Sequence, residues 1–325
     1  MKTAEKVLDI LEKNKGRYVS GARISDFFGL SRNSVWKAVH TLQKKGYNIS
    51  AVTNKGYILH ENNRIISAGS VSEFVEAENI KIIKYETVDS TNTVLKKMAE
   101  AGESEGTVVM AGEQTAGRGR LGRSFSSQRD TGVYFSILLR PQLKPQDSLL
   151  ITTCAAAAVA RSIEKNTGRP AAIKWVNDIY IDDRKVAGIL TEGAFDLERG
   201  TLSYAVLGIG INMYFDDASL PEEIKDIAGA VFEEMPDSES ISRIIADVLN
   251  FFMADYKTLT EKHFYKDYVS RSYLDGKKIS VIKPDCTREA TALGTDEEFR
   301  LHVRYEDGTE EFLSTGEVST KPVFD

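Results

Sequence analysis

Cysteine and histidine are too scarce in this chain to organise it. Cys154 and Cys286 are the only cysteines among 325 residues. They stand far apart in different expected domains, which argues against a disulfide framework or a metal cluster. The four histidines, His40, His60, His263 and His302, form no H-x-H or H-x-x-x-H pair, so a protein zinc site is not expected. Long apolar runs are missing as well: none approaches the roughly 18 residues that mark a spanning helix. Lys2, Glu5, Lys6 and Asp9 stand where an export signal would be apolar, and the expected setting is therefore cytoplasmic. What remains, 42% hydrophobic and 28% charged, is an ordinary globular composition. The length leaves room for two or three domains and a substantial core.

The net charge of −6 conceals an asymmetry. Met1–Ile65 carries 12 Lys and Arg against 5 Asp and Glu, a net of +7, and the rest carries 30 against 43, a net of −13. A basic head on an acidic body points to a nucleic-acid contact confined to the head. Within it, Ala4, Val7, Leu8 and Leu11 form the stripe of a first helix ended by Gly16. Ser20–Phe28 reads as a second helix with Ile24, Phe27 and Phe28 inward, and Gly29-Leu30-Ser31 as a tight turn. Ser31 is a natural N-cap for a third helix reaching Gly46, with Val35, Ala38, Val39 and Leu42 on its apolar face. Its other face offers Asn33, Lys37, His40 and Lys44, flanked by Arg32 and Trp36. Alternation around the Asn54-Lys55-Gly56 turn adds a wing-like hairpin. A small bundle with a solvated basic face would share much of this pattern. Turn chemistry, charge and the basic wing tip favour a helix-turn-helix. Its expected DNA contacts are Ser31, Arg32, Asn33, Trp36, Lys37, His40 and Lys55.

Asn62–Val71 reads as a linker. Beyond it, strands are expected at Ile80–Tyr85, Thr107–Ala111, Val133–Leu139, Ile173–Trp175, Ile179–Ile181, Val186–Thr191 and Leu202–Gly210. Helices are expected from Asp89–Asn92 to Gly102, over Ser148–Asn166 and over Ser240–Leu259. A lone crossover helix among consecutive strands argues for an α+β body with a mixed, mostly antiparallel sheet. From Gly276 the pattern turns to short strands, with Ile279/Val281 and Leu301/Val303/Tyr305 alternating around turns at Pro284-Asp285 and Glu306-Asp307-Gly308. That reads as a small β-barrel docked on the body. The expected domains are 1–65, 66–275 and 276–325.

Three glycines and three arginines crowd into Gly117-Arg118-Gly119-Arg120-Leu121-Gly122-Arg123. Glycine lets backbone N–H groups approach a ligand closely. Arginine brings a permanent charge in a planar fork suited to phosphate and carboxylate. The segment fits G-x-G-x-x-G, yet no helix opens at the glycines and no acid follows at the expected distance, so a dinucleotide-binding reading fails. A solvated basic loop and a cradle for an anion remain. Ordering so flexible a loop costs backbone entropy, which favours a bound anion.

Five motifs then fall in order. They are Ser90-Thr91-Asn92, Gln114 through Arg123, Lys174-Trp175-Val176-Asn177-Asp178, Arg184 through Leu190 and Gly208-Ile209-Gly210-Ile211-Asn212. Over essentially its whole length the chain resembles the biotin–protein ligases, and its basic head matches their bifunctional branch, which also represses the biotin operon. The resemblance implies a winged helix-turn-helix, a catalytic domain related to class II aminoacyl-tRNA synthetases and an SH3-like C-terminal domain. It assigns biotin or biotinyl-5′-AMP to Ser90, Thr91, Asn92, Gln114, Gly117, Arg118, Gly119, Arg120, Lys185 and Gly188. Nucleotide contacts fall to Arg120, Arg123, Phe125, Lys174, Asn177 and Asn212, and Mg²⁺ to Asp178. Arg118 and Lys185 carry the catalytic roles.

The implied chemistry joins biotin and ATP into an adenylate, then transfers biotin to a lysine of a biotin carboxyl carrier domain. The adenylate would also promote a homodimer that binds operator DNA. A lipoate–protein ligase is one alternative, but it would not explain the basic head, and its motifs differ from the arginine loop. A ligand-sensing transcription factor without ligase activity is the other, and biotin-dependent pyrophosphate exchange separates it from a ligase. Two positions depart from the family habit. Val176 stands where proline is common, which removes a fixed φ but no functional group. Phe125 stands where tryptophan is common and keeps a ring while losing the indole N–H.

Overall fold

A computed structural model of the chain describes residues 3–196, 198–215, 225–283, 286–314 and 319–322. Its contacts fall into two compact units, Met1–Val75 with Met235–Ala246, and Glu76–Glu234 with Asp247–Asp325.

The first unit is the basic head. Helices α1 (Thr3–Lys13), α2 (Gly21–Phe28) and α3 (Arg32–Lys44) precede a hairpin of β1 (Ile49–Val52) and β2 (Gly56–Leu59). The cap expected at Ser31 forms, accepting from the Ser34 N–H, and Ser20 caps α2 in the same way by accepting from the Arg23 N–H. Gly29 takes the left-handed conformation that lets α2 stop and α3 start. The stripes of the three helices meet in one core with Val7, Leu11, Ile24, Val35, Val39 and Leu42 buried. Truncating Ile24 there would cost about 2–5 kcal/mol. The hairpin is fastened to the core through Val19, whose N–H donates to Tyr57 O at 2.8 Å. Gly56 makes that approach possible, since a Cβ there would lie 2.2 Å from Val19 O.

Two expectations fail in this unit. Phe27 is 72% exposed rather than inward. So short a helix seats only a narrow stripe, and Ile24 and Phe28 already fill it. Phe27 meets Phe28 edge-on at 4.9 Å instead. Nor is Asn62–Val71 a slack linker. It enters α4 (Ala68–Ser72) through a reciprocal capping box of Ser67 and Ser70. Asn63 is buried, taking the Asn48 N–H and donating to Ile65 O. Polar residues read as linker because single hydrogen bonds leave no periodicity.

In the second unit, β3 (Lys81–Val88), β4 (Thr107–Gln114), β5 (Gly132–Leu139), β6 (Ala172–Lys174), β7 (Asp178–Ile181), β8 (Arg184–Asp196) and β9 (Thr201–Asn212) form one sheet in the order β3-β4-β5-β9-β8-β7-β6. Only β3 and β4 pair in parallel, joined by α5 (Thr91–Glu100); every other pairing is antiparallel. The mixed sheet is as expected. Leu95 and Ala99 of α5 pack on Val109, Leu138 and Val206. Helix α6 (Leu149–Thr167) buries Cys154 to Ala160 completely; its small side chains allow close approach to the strands.

The second unit also takes the later part of α7 (Ser238–Tyr256) and α8 (Tyr265–Ser270). A second sheet then follows, built from β10 (Lys278–Ile282), β11 (Thr287–Thr295), β12 (Leu301–Tyr305), β13 (Glu310–Leu313) and β14 (Ser319–Pro322). It is antiparallel throughout, in the order β13-β12-β11-β10-β14. Its core residues Ile279, Val281, Leu301 and Val303 join Trp175, Val176 and Tyr180 in one cluster. The Trp175 indole N–H donates to Phe299 O at 2.9 Å. The C-terminal sheet thus buttresses the segment that carries Asn177 and Asp178. The expected turn at Pro284-Asp285 lies outside the described residues.

Candidate active site

The arginine loop leaves the end of β4 and returns to β5. It is stapled to itself and to the end of β3. Gln114 N donates to Ser127 O, Thr115 N to Val88 O, Phe125 N to Gly117 O and Gly119 N to Arg123 O, at 2.7–3.0 Å. These bonds hold the loop over a cleft of about 1060 Å³, part of it open to solvent.

Strands β8 and β9 form the floor. Gly208 and Gly210, two residues apart, present the same face of β9, and Gly188 pairs with Gly210 across the ladder. A Cβ on Gly210 would stand 2.5 Å from the Phe125 ring, and one on Gly208 2.2 Å from Asn92 Oδ1. Glycine is required there because side chains from the loop and from α5 lie directly on the sheet.

One end of the cleft is charged. Lys185 Nζ lies 2.7 Å from Asp178 Oδ1. Arg120 Nη1 donates to Asn177 Oδ1 at 2.9 Å, and the Asn177 amide donates to Ile189 O at 2.8 Å. Burial lowers the pKa of Arg120, though the negative charge of Asp178 opposes it. Such a guanidinium is poorly solvated and gains from an arriving anion. Arg118, Arg123 and Lys174 line the same space, with Lys174 Nζ 5.4 Å from the centre of the Tyr180 ring.

The other end is neutral and buried. Ser90, Thr91 and Asn92, at the start of α5, are each 3% exposed. Ser90 stands at the N-cap yet makes no capping bond, so its hydroxyl is left to the cleft it lines. Thr91 donates its N–H and its hydroxyl to Gln114 Oε1 at 2.8 and 3.1 Å, and Gln114 Nε2 donates to Ser127 Oγ. A cleft with polar donors at one end and cations at the other fits an elongated ligand ending in an anion.

In the head, Arg32, Asn33, Trp36, Lys37 and His40 stand exposed on α3, and Lys55 at the hairpin turn. Trp36 and His40 stack with centroids 5.5 Å apart. Lys55 Nζ lies 5.6 Å from the Tyr18 ring. Ser31 is spent on its cap.

Comparison with known proteins agrees with both units. Residues 85–212 match the model of the biotin/lipoate A/B protein ligase family, and residues 3–58 match a helix-turn-helix domain. The bifunctional ligase/repressor BirA of Bacillus subtilis is 34% identical over 82% of this chain and 79% of its own. Its counterpart from Bacillus spizizenii is 31% identical over 95% of this chain and 96% of its own. The chain belongs to the bifunctional ligase/repressor family. Among solved structures, the biotin protein ligase of Aquifex aeolicus in complex with biotin and ATP superposes with a TM-score of 0.63. It is 29% identical, covering 75% of this chain and 99% of that one.

Most of the ligase residues expected from sequence converge in the cleft. Ser90, Thr91, Asn92, Gln114, Arg118, Gly119, Arg120, Arg123, Phe125, Lys174, Asn177, Asp178, Lys185 and Gly188 all line it. Two stand elsewhere. Gly117 closes the loop on itself, for a Cβ there would meet Phe125 O at 2.3 Å. Asn212 donates to Gly229 O at 3.0 Å and Lys185 O at 3.4 Å, which fixes the strand that presents Lys185. Sequence reasoning missed Ser136, Ser127, Lys96 and Glu192. Ser136 did leave a signal, as the lone serine in the apolar run Val133–Leu139, and it is fully buried. Among the described residues no three His, Cys, Asp or Glu side chains gather to hold a metal.

Proposed function

We propose that this chain is an ATP-dependent biotin–protein ligase and a repressor that responds to biotinyl-5′-AMP. The observation that carries the reading is a single cleft joining a buried hydroxyl-amide end to an arginine-lysine end, in a chain that also bears a helix-turn-helix. Residues 1–65 would bind operator DNA, and 66–275 would carry the chemistry. Residues 276–325 would form an SH3-like domain bracing Asn177 and Asp178. The sheet of 66–275 fits the class II synthetase relationship. These substrates place the work in the cytoplasm.

In the first step the biotin carboxylate attacks the α-phosphate of ATP and the bond to the β-phosphate breaks, releasing pyrophosphate, so two anions must meet. Arg118 and Lys185 offset that repulsion and stabilise the charge growing on the phosphoryl oxygens. Ser90, Thr91 and Gln114 hold the neutral end of biotin. Phe125 on its glycine floor and Asn177 receive the adenosine, with Arg120, Arg123 and Lys174 around the phosphates. One carboxylate, Asp178, suits Mg²⁺ arriving on ATP, since that ion keeps waters and phosphates as most of its ligands. The stapled loop excludes water from the mixed anhydride. In the second step a lysine amine of a biotin carboxyl carrier domain attacks the anhydride carbonyl and AMP leaves. No nucleophile on this chain is required.

Repression follows from one recognition helix per chain. Two heads related by symmetry read paired half-sites, so the adenylate would act by ordering the loops and favouring a homodimer. Biotin-dependent exchange of labelled pyrophosphate into ATP tests the ligase, and its absence refutes it. Sedimentation with and without biotin plus ATP, beside an operator footprint, tests the linkage. An unchanged monomer–dimer equilibrium with equal operator affinity would refute that part alone.

A further inference from the structure

We propose that Glu192, on β8, is a positioning residue for the biotin subsite, setting the orientation of the Asn92 amide in partnership with Lys96. This deepens the ligase reading and rests on it.

Glu192 does not line the cleft, whereas Asn92 does. The Asn92 amide is held at both ends. Its Nδ2 donates to Glu192 Oε2 at 2.8 Å, and its Oδ1 lies 2.6 Å from the Ser136 hydroxyl. An ionised carboxylate can only accept, while a hydroxyl can donate or accept. Glu192, joined by the Leu190 carbonyl that accepts from the same Nδ2 at the longer distance of 3.4 Å, therefore decides which way the amide points. A flipped Asn92 would set its oxygen against a carboxylate in a buried place, and unpaired buried polar groups are costly.

The choice propagates toward the ligand. Ser136 also lies 2.7 Å from Thr91 Oγ1, and Thr91 meets Gln114 Oε1. Asn92, Thr91 and Gln114 thus present a donor and acceptor pattern whose far anchor is Glu192. The amide packs directly over Gly208, where a Cβ would stand 2.2 Å from its oxygen. Lys96 Nζ, 2.5 Å from Glu192 Oε1, fixes the carboxylate's other oxygen. Burial pushes the pKa of Glu192 up, but hydrogen bonds from Lys96 and Asn92, with the charges of Lys96 and Arg118, outweigh it and hold the group ionised.

The test uses pyrophosphate exchange by the full chain, with biotin and ATP varied separately. Glu192→Ala should raise the KM for biotin about tenfold or more, with kcat and the KM for ATP within about twofold. Glu192→Gln can still offer Asn92 an oxygen and should stay within about threefold. Asn92→Asp sets two carboxylates together and should also raise the biotin KM. Adding Glu192→Gln to it restores a donor–acceptor pair and should recover much of the loss. A merely structural role would lower melting temperature and recoverable activity without a KM split or a rescue. An unchanged biotin KM in Glu192→Ala, or a double variant no better than Asn92→Asp, overturns the proposal. Should Glu192→Ala fail to fold, the rescue decides alone. No exchange by the wild-type chain would overturn the ligase reading, and this inference with it.

Discussion

Replacing Lys185 by methionine removes one charge and keeps most of the stem. Structure and reaction should feel the change very differently. In the folded chain Lys185 pairs with Asp178 at 2.7 Å, the two side chains being 27% and 24% exposed. Such a half-buried pair adds little net stability, because solvation lost on burial offsets its attraction. Asp178 would keep the Asn177 amide at 3.2 Å, and methionine would give up only the distant approach of the ammonium to the Phe125 ring, 5.9 Å from its centre. The expected loss is on the order of 1 kcal/mol, a fall of about 2–4 °C in Tm. In the reaction the same ammonium faces charge that develops only in the transition state. Losing such a donor costs roughly 10²–10³ in rate, about 2.7–4 kcal/mol. Pyrophosphate exchange at saturating biotin and ATP measures the second quantity and calorimetry the first. Lys185→Arg should recover only part of the rate, since a planar fork replaces a compact ammonium. Exchange by Lys185→Met within about threefold of wild type would refute the catalytic role. So would a fall in Tm large enough to account for the lost activity.

Two further outcomes are expected. Lys37→Ala or Lys55→Ala should each flatten the dependence of operator affinity on log salt by about 0.9, leaving pyrophosphate exchange unchanged; anisotropy titrations at several salt concentrations check this, and an unaltered slope removes that lysine from the DNA contact. Burial, reinforced by Asp9 and Glu73 and opposed by the Ser67 hydroxyl and Lys15, raises the pKa of Glu12 from 4.5 to about 7. Between those values the folded head holds a proton that the unfolded chain has released, so stability should fall as pH rises through that window. Glu12→Gln keeps an acceptor for Ser67 without the titration, and its advantage in denaturant melts should grow from pH 5 to pH 8. An advantage independent of pH would show that Glu12 does not carry the effect.

The chain was most legible where one physical rule dominates. Helix α3 could be placed from Ser31 and a four-residue apolar stripe, because capping and the 3.6-residue period act locally. Six of the body's seven strands betrayed themselves by β-branched runs, and the short segment before Trp175 by its apolar centre. Strand β11 was missed, since its inward residues are Ala290 and Ala292, too small to mark a period. Phe27 was misread for the converse reason. Three apolar residues in α2 looked like one face, but the core beneath takes only Ile24 and Phe28.

The site divides along the same line. Its charged end could be read from sequence, because arginines among glycines are improbable as plain scaffold and the loop residues are neighbours in the chain. Its neutral end could be read only in part. Ser90, Thr91 and Asn92 looked like capping residues, and the structure shows that Ser90 makes no capping bond at all. The groups that decide how they are presented lie 44 to 100 positions away, in Ser136 and Glu192. No periodicity joins such distant residues; only the antiparallel register of β5, β9 and β8 brings them under α5. A residue that touches the ligand can declare itself by its chemistry. One that orients it through a neighbour becomes visible only when donors and acceptors are matched in three dimensions, which is why Glu192 passed as an ordinary strand carboxylate.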